Sequence, residues 1–145
     1  MPNITLQIGA IGPIIDIHVG ISEPREKALL AGYQAVPPLV KGRALVDTGA
    51  SSTCIDPKIL ASLQIPPRGT IPIHTPSTAG SAHLALQYDA SLIFPLGGHN
   101  WKFSAIPIIE CHLHSYGIDV LIGRDILDAG IFFYNGSSKV FTLSF

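Results

Sequence analysis

The eight residues Ala44-Leu45-Val46-Asp47-Thr48-Gly49-Ala50-Ser51 constrain the fold more than any other stretch of the chain. Ala44, Leu45 and Val46 are small or branched and apolar, as a covered strand requires. Asp47 follows directly, with no basic residue beside it in sequence. Gly49 permits a tight turn or a close backbone approach that a Cβ would block. Thr48 carries a hydroxyl able to bond within its own loop or across an interface. A carboxylate at the end of a buried strand must be paired, hydrogen-bonded or protonated, which is an unfavourable place for an Asp that only starts a turn. Asp-Thr-Gly is also turn-forming composition, so its flanks must decide between the two readings.

Around that turn the chain is apolar and weakly charged. Its 145 residues suffice to bury a core and are read as one domain, 1–145. Apolar residues make up 47% and charged residues 13%, which excludes disorder and leaves apolar surface to bury against a partner. The net charge is −1, with no run of Lys or Arg, which argues against nucleic acid or an anionic membrane as the main partner. Residues 4–21 are apolar-rich, but Asp16 and His18 interrupt them and Gly9, Gly12 and Pro13 break them. They are read as neither a signal peptide nor a membrane span. Two cysteines, Cys54 and Cys111, allow at most one bridge, and a soluble, reduced, cytoplasmic setting is expected.

Strand signals dominate the rest. Asn3 to Ile8 and Ile14 to Ile21 alternate with period two, and the turn material at Gly9–Pro13 predicts that they form a hairpin. Ile15, Ile17, Val19 and Ile21 share one face. A short helix is expected over Arg25–Leu30, closed by Gly32, in an excursion that ends at Pro37-Pro38. The strand Leu39–Val46 leads to Asp47. Asp56-Pro57 reads as an N-cap and first helical position, Thr70–His74 and Ala82–Phe94 as a strand pair, and Trp101–Ile109 as a further strand. Residues 123–130 read as a short helix closed by Gly130. Asn135-Gly136 predicts a tight hairpin between Ile131–Tyr134 and Lys139–Phe145.

Other chemistry is poorly patterned. Cys111, His112 and His114 lie close together, with His74, His83 and His99 elsewhere, but no second ligand pair has a zinc spacing, so no metal and no cofactor are expected. Cys54 lacks a patterned His partner. Ser51-Ser52-Thr53 lacks the context of a nucleophile elbow.

A second element, Val120-Leu121-Ile122-Gly123-Arg124-Asp125, lies downstream of Asp47-Thr48-Gly49-Ala50. Together the two resemble the retropepsin family, the retroviral-type aspartic proteases. There a strand ends in Asp-Thr/Ser-Gly-Ala, and a later apolar-apolar-Gly-Arg-Asp/Asn run opens the helix near the C-terminus. The resemblance runs from about Leu39 to Phe145 and is closest in character to cellular and bacterial members, including the protease domain of the DNA-damage-inducible family. The chain departs from retroviral enzymes in the excursion at 22–38 and in a longer C-terminal hairpin. It also carries Ser51 where they often carry an Asp that pairs with the helix arginine.

The resemblance implies an all-β, retropepsin-like closed barrel with one short C-terminal helix and a flap hairpin at about 71–89. It implies an aspartic endopeptidase. That mechanism needs two carboxyls sharing a proton, and the chain has one Asp-Thr-Gly, the nearest second match being Asp128-Ala129-Gly130 at a helix end. A homodimer with Asp47 of each copy at the axis follows. Asp47 would act as general base or acid, Thr48 would brace the loops, and Gly49 would present its backbone to an extended peptide. Ala50, Leu121 and the flap residues Ser77, Thr78, Ala79 and Gly80 would contact that peptide, with residues 114–119 lining side-chain pockets. The alternative is a catalytically weak dimeric binding module on the same fold.

Overall fold

The computed structural model describes residues 1–74 and 80–145. Among the described residues, strands and short α-helices follow one another as β1 (Asn3–Gln7), β2 (Ile14–Ile21), α1 (Glu23–Ala31), β3 (Val40–Val46), β4 (Cys54–Ile55), α2 (Pro57–Ser62), β5 (Gly69–Ile73), β6 (His83–Leu96), β7 (His99–Glu110), β8 (Val120–Ile122), α3 (Arg124–Leu127), β9 (Ile131–Asn135) and β10 (Val140–Ser144).

Six strands close on themselves in the order β2-β3-β8-β4-β7-β6, because β2 pairs with both β3 and β6. Alternation along β2 explains why closure works. Ile15, Ile17, Val19 and Ile21 all point inward and are 0–3% exposed. β6 and β7 slip register between Ala90 and Leu92, a bulge that bends the long pair around the barrel. β5 pairs with the first half of β6, in register from Gly69↔Gln87 to Ile73↔His83, and extends as an arm on which Leu84 and Leu86 are exposed. The segment expected to form a flap, about 71–89, overlaps this strand pair, and its residues Ser77, Thr78 and Ala79 lie outside the described residues. Among the described residues no helix is long and apolar enough to cross a membrane.

A separate antiparallel sheet, β1-β10-β9, packs on the barrel. Phe141 and Leu143 of β10 are fully buried, and Ile4, Leu6 and Phe132 pack beside them. Phe145 is seated edge-on against Phe94 and Phe103, with ring centroids 5.1 Å away in each case, and Trp101 stacks over it at 6.3 Å.

The expected β1–β2 hairpin does not form. Gly9 and Gly12 exchange backbone hydrogen bonds at 3.2 and 3.1 Å, so the turn is real. It redirects the chain instead, because β1 pairs with β10, matching Ile4 to Leu143 and Leu6 to Phe141, while both edges of β2 are used by the barrel. At the end of α1, Gly32 caps with φ −89°, and the left-handed residue is the fully exposed Tyr33 at φ 53°. Asn135-Gly136 is not a two-residue turn. Asn135 pairs with Val140, its Oδ1 accepts from Ser137 Oγ and Ser138 N, and Lys139 takes the left-handed conformation. The helix expected over 123–130 is a single turn, Arg124–Leu127, after which Asp128 caps it and Gly130 N–H bonds the Leu127 carbonyl.

Candidate active site

β8 lies between β3 and β4, parallel to β3 and antiparallel to β4. The loop 47–53 therefore leaves the barrel beside β8 and returns on its other side. Asp47 N–H bonds the Ile122 carbonyl at 2.9 Å, fixing the end of β3. The Asp47 carboxylate then folds back, and its Oδ1 accepts from Gly49 N at 2.8 Å. A Cβ on Gly49 would lie 3.1 Å from that oxygen, so glycine keeps the approach open. Asp47 and Ala50 are half-buried, while Thr48 and Gly49 are exposed.

The residues after β8 hold this loop in place. Arg124 N–H bonds the Ala50 carbonyl at 2.9 Å, and its Nη1 donates to the Thr48 carbonyl at 2.9 Å. With Ser51 in place of a carboxylate, the arginine thus grips the loop by its backbone. Asp125 accepts from Thr53 N at 2.9 Å and from Thr53 Oγ1 at 2.7 Å, and that hydroxyl accepts from Gly123 N at 3.1 Å. Thr53 is fully buried. Gly123 packs so tightly that a Cβ would sit 2.7 Å from the Ser52 carbonyl carbon. Gly-Arg-Asp thus fastens Thr48, Ala50 and Thr53 of the loop to one turn of helix.

A concavity of about 440 Å³ opens over the carboxylate, lined by Pro13, Val46, Asp47, Thr48, Phe132 and Tyr134. Phe132 and Tyr134 are missing from the residues expected by sequence. They lie on β9, far from Asp47 along the chain, and no local pattern links the two. Leu121 is half-buried in register with Leu45 and Cys54. Gly80 is exposed at the far end of the β5–β6 arm, with open space around its α-carbon. Asp128 is an exposed helix cap, as its position in sequence implied.

Both cysteines are free thiols. Burial, then the neighbouring Cys111 and Asp125, push the Cys54 thiol up to about 12, which makes it a poor nucleophile. Burial also raises Cys111. His112 and His114 are exposed, next to and at the start of a 3-10 turn, His114–Tyr116. No group of His, Cys, Asp or Glu among the described residues is arranged to hold a metal ion. Asp56, the expected N-cap, accepts from Lys58 N and also from Leu113 N and His114 N, all at 2.9 Å, and so ties α2 to the 111–119 loop.

The model of a family described as aspartyl protease matches residues 38–126, which span β3, the Asp47 loop and most of α3. No curated protein matches the sequence. The structure is similar to that of a retropepsin-like aspartic protease from Rickettsia conorii. The TM-score is 0.60 at 16% identity, over 99% of this chain and 90% of that one. A second similar structure is the retroviral protease-like domain of Ddi1 from Leishmania major, with a TM-score of 0.45 at 16% identity, over 90% of this chain and 88% of that one. The first likeness makes the fold retropepsin-like.

Proposed function

The chain belongs to the aspartyl protease family, and from that premise we propose that it is an endopeptidase whose active site is completed by two copies of Asp47. The observation that carries this reading is the placement of Asp47. It is the acidic group of the only Asp-Thr-Gly in the chain, and it faces an open concavity from a loop pinned at Thr48, Ala50 and Thr53.

Two facing Asp47 carboxyls share one proton, because two such groups about 3 Å apart do not both ionise. The ionised carboxylate takes a proton from water, and the water oxygen attacks the scissile carbonyl carbon. The protonated carboxyl gives its proton to the carbonyl oxygen, forming a tetrahedral diol. The carboxyl that took the water proton passes it to the amide nitrogen, the C–N bond breaks, and a diol hydroxyl gives its proton to the other carboxylate, leaving one proton shared by the pair. Thr48 braces the loop, Gly49 offers backbone to an extended peptide, and Ala50 and Leu121 contact its side chains. The β5–β6 arm closes over the peptide, with Gly80 near it.

Asp47→Asn tests the reading. It removes the base while keeping size and the hydrogen bond from Gly49 N. The variant should fold and associate as wild type does and lose cleavage of a peptide library between about pH 3 and 8. Retained cleavage would refute the proposal.

A further inference from the structure

We propose that Cys54 and Cys111 are a redox modification site: a peroxide closes the two thiols into a disulfide at the root of the Asp47 loop, and cleavage slows until the bond is reduced. The formation of the bond stands on its own, and its effect on cleavage rests on the two-Asp47 reading above.

Cys54 and Cys111 are the only cysteines in the chain, and the fold brings them together from distant positions. β4 runs parallel to β7, with Cys54 opposite Ile109 and Ile55 opposite Glu110. Cys111 N–H continues that ladder by bonding the Ile55 carbonyl at 3.1 Å. Side chains alternate across a sheet. Ile55 and Ile108 point into the barrel and are fully buried, so Cys54, Ile109 and Cys111 share the outer face. There Cys54 and Cys111 are diagonal neighbours, both half-buried and both free. Their thiols share a hydrogen bond.

Burial raises both thiols, but the hydrogen bond from Cys54 works against this at Cys111. Cys111 therefore supplies the attacking thiolate. Its sulfur attacks one peroxide oxygen, the O–O bond breaks, hydroxide leaves and a sulfenic acid forms. The Cys54 sulfur then attacks the Cys111 sulfur, the S–O bond breaks, and the hydroxide leaves with the Cys54 proton as water. The first hydroxide takes the proton that Cys111 lost. Two electrons pass from the thiols to the peroxide, giving one disulfide and two waters.

Placement makes the bond both reversible and consequential. Diagonal neighbours on paired strands are about 7–8 Å apart at Cα, slightly beyond the span that a relaxed disulfide bridges. Closing it draws the end of β7 towards β4, and a strained disulfide is easily reduced. Cys54 also adjoins the clamp on the Asp47 loop. It follows Thr53, whose N–H and hydroxyl bond Asp125, and its Sγ donates to the Ser52 carbonyl at 3.7 Å. Ser52 backbone packs directly on Gly123. A disulfide takes the Cys54 proton away from Ser52 and turns the sulfur towards Cys111, loosening the loop that aims Asp47.

The test treats dilute wild-type protein with hydrogen peroxide and follows intact mass, free thiols and peptide cleavage, before and after dithiothreitol. The single chain should become lighter by two hydrogens and lose both free thiols, with cleavage down by about 10-fold or more. Dithiothreitol should restore all three. Cys54→Ser and Cys111→Ser should each form no intrachain bond, and Cys111→Ser should cleave at the untreated wild-type rate with or without peroxide. A wild-type chain that keeps both thiols, or that gains oxygen atoms without an intrachain disulfide, overturns the proposal. So does a disulfide that leaves the rate unchanged, or an equal loss of rate in Cys111→Ser. If the disulfide forms and opens but the reduced protein cleaves no peptide, the modification site stands and the protease reading fails.

Discussion

Arg124 donates from its guanidinium to the Thr48 carbonyl at 2.9 Å, while its own backbone N–H bonds the Ala50 carbonyl at 2.9 Å, so a single residue holds the turn after Asp47 at two points. Only the side-chain bond is lost in Arg124→Ala. The loop stays attached but its carboxylate is less well aimed. We expect kcat/KM for peptide cleavage to fall by about 10- to 100-fold, with the melting temperature lowered by only about 2–4 °C. Steady-state kinetics beside a thermal melt separate the two effects.

Thr53 anchors the other end of the loop. Thr53→Val keeps the shape but removes the hydroxyl that serves Asp125 and Gly123 N–H. Both groups lose a partner inside a tightly packed turn. Denaturant unfolding should show a loss of about 1–3 kcal/mol, and an unchanged midpoint would mean that the loop can repack without it.

Gly123→Ala tests packing rather than bonding. The added methyl meets Ser52 backbone at 2.7 Å, and backbone on both sides of the contact is fixed by hydrogen bonds. We expect about 2–3 kcal/mol of destabilisation together with loss of cleavage, read from the same unfolding and kinetic assays.

Asp56 makes stability depend on pH. Burial raises its pKa, but bonds from the backbone N–H groups of Lys58, Leu113 and His114, helped by the His114 charge, outweigh that and hold the carboxyl below its ordinary 3.8. A carboxyl depressed in the folded state contributes stability above its unfolded pKa and loses it as pH falls through the folded value. Melting temperature should therefore drop as pH is lowered below about 4, and Asp56→Asn should flatten that part of the curve while costing about 1–2 kcal/mol near neutrality. A parallel acid-side slope in both proteins would contradict this.

Much of this arrangement was legible in the sequence because it is local or periodic. The period-two run of β2 revealed its buried face, Asp56-Pro57 revealed a cap, and Asp47-Thr48-Gly49 and Gly123-Arg124-Asp125 revealed a turn and a helix start, but not that Arg124 and Asp125 hold the loop through Thr48 and Thr53. What stayed hidden depends on which strands meet. Nothing in residues 3–21 says that β1 crosses to β10 rather than turning back on β2. Nothing near Asp47 says that Phe132 and Tyr134 line its concavity. Asn135-Gly136 misled because Asn135 spends its side chain on Ser137 and Ser138, which widens the turn to four residues.

The central claim is that each active site takes Asp47 from two chains. The most direct measurement mixes wild type with Asp47→Asn at constant total concentration, allows exchange, and follows peptide cleavage against the wild-type fraction. A shared site predicts activity that falls as the square of that fraction, to about a quarter at an equal mixture, because every mixed dimer is inactive. Activity that falls in simple proportion to the wild-type fraction would mean that one chain carries a complete site, and would contradict the account.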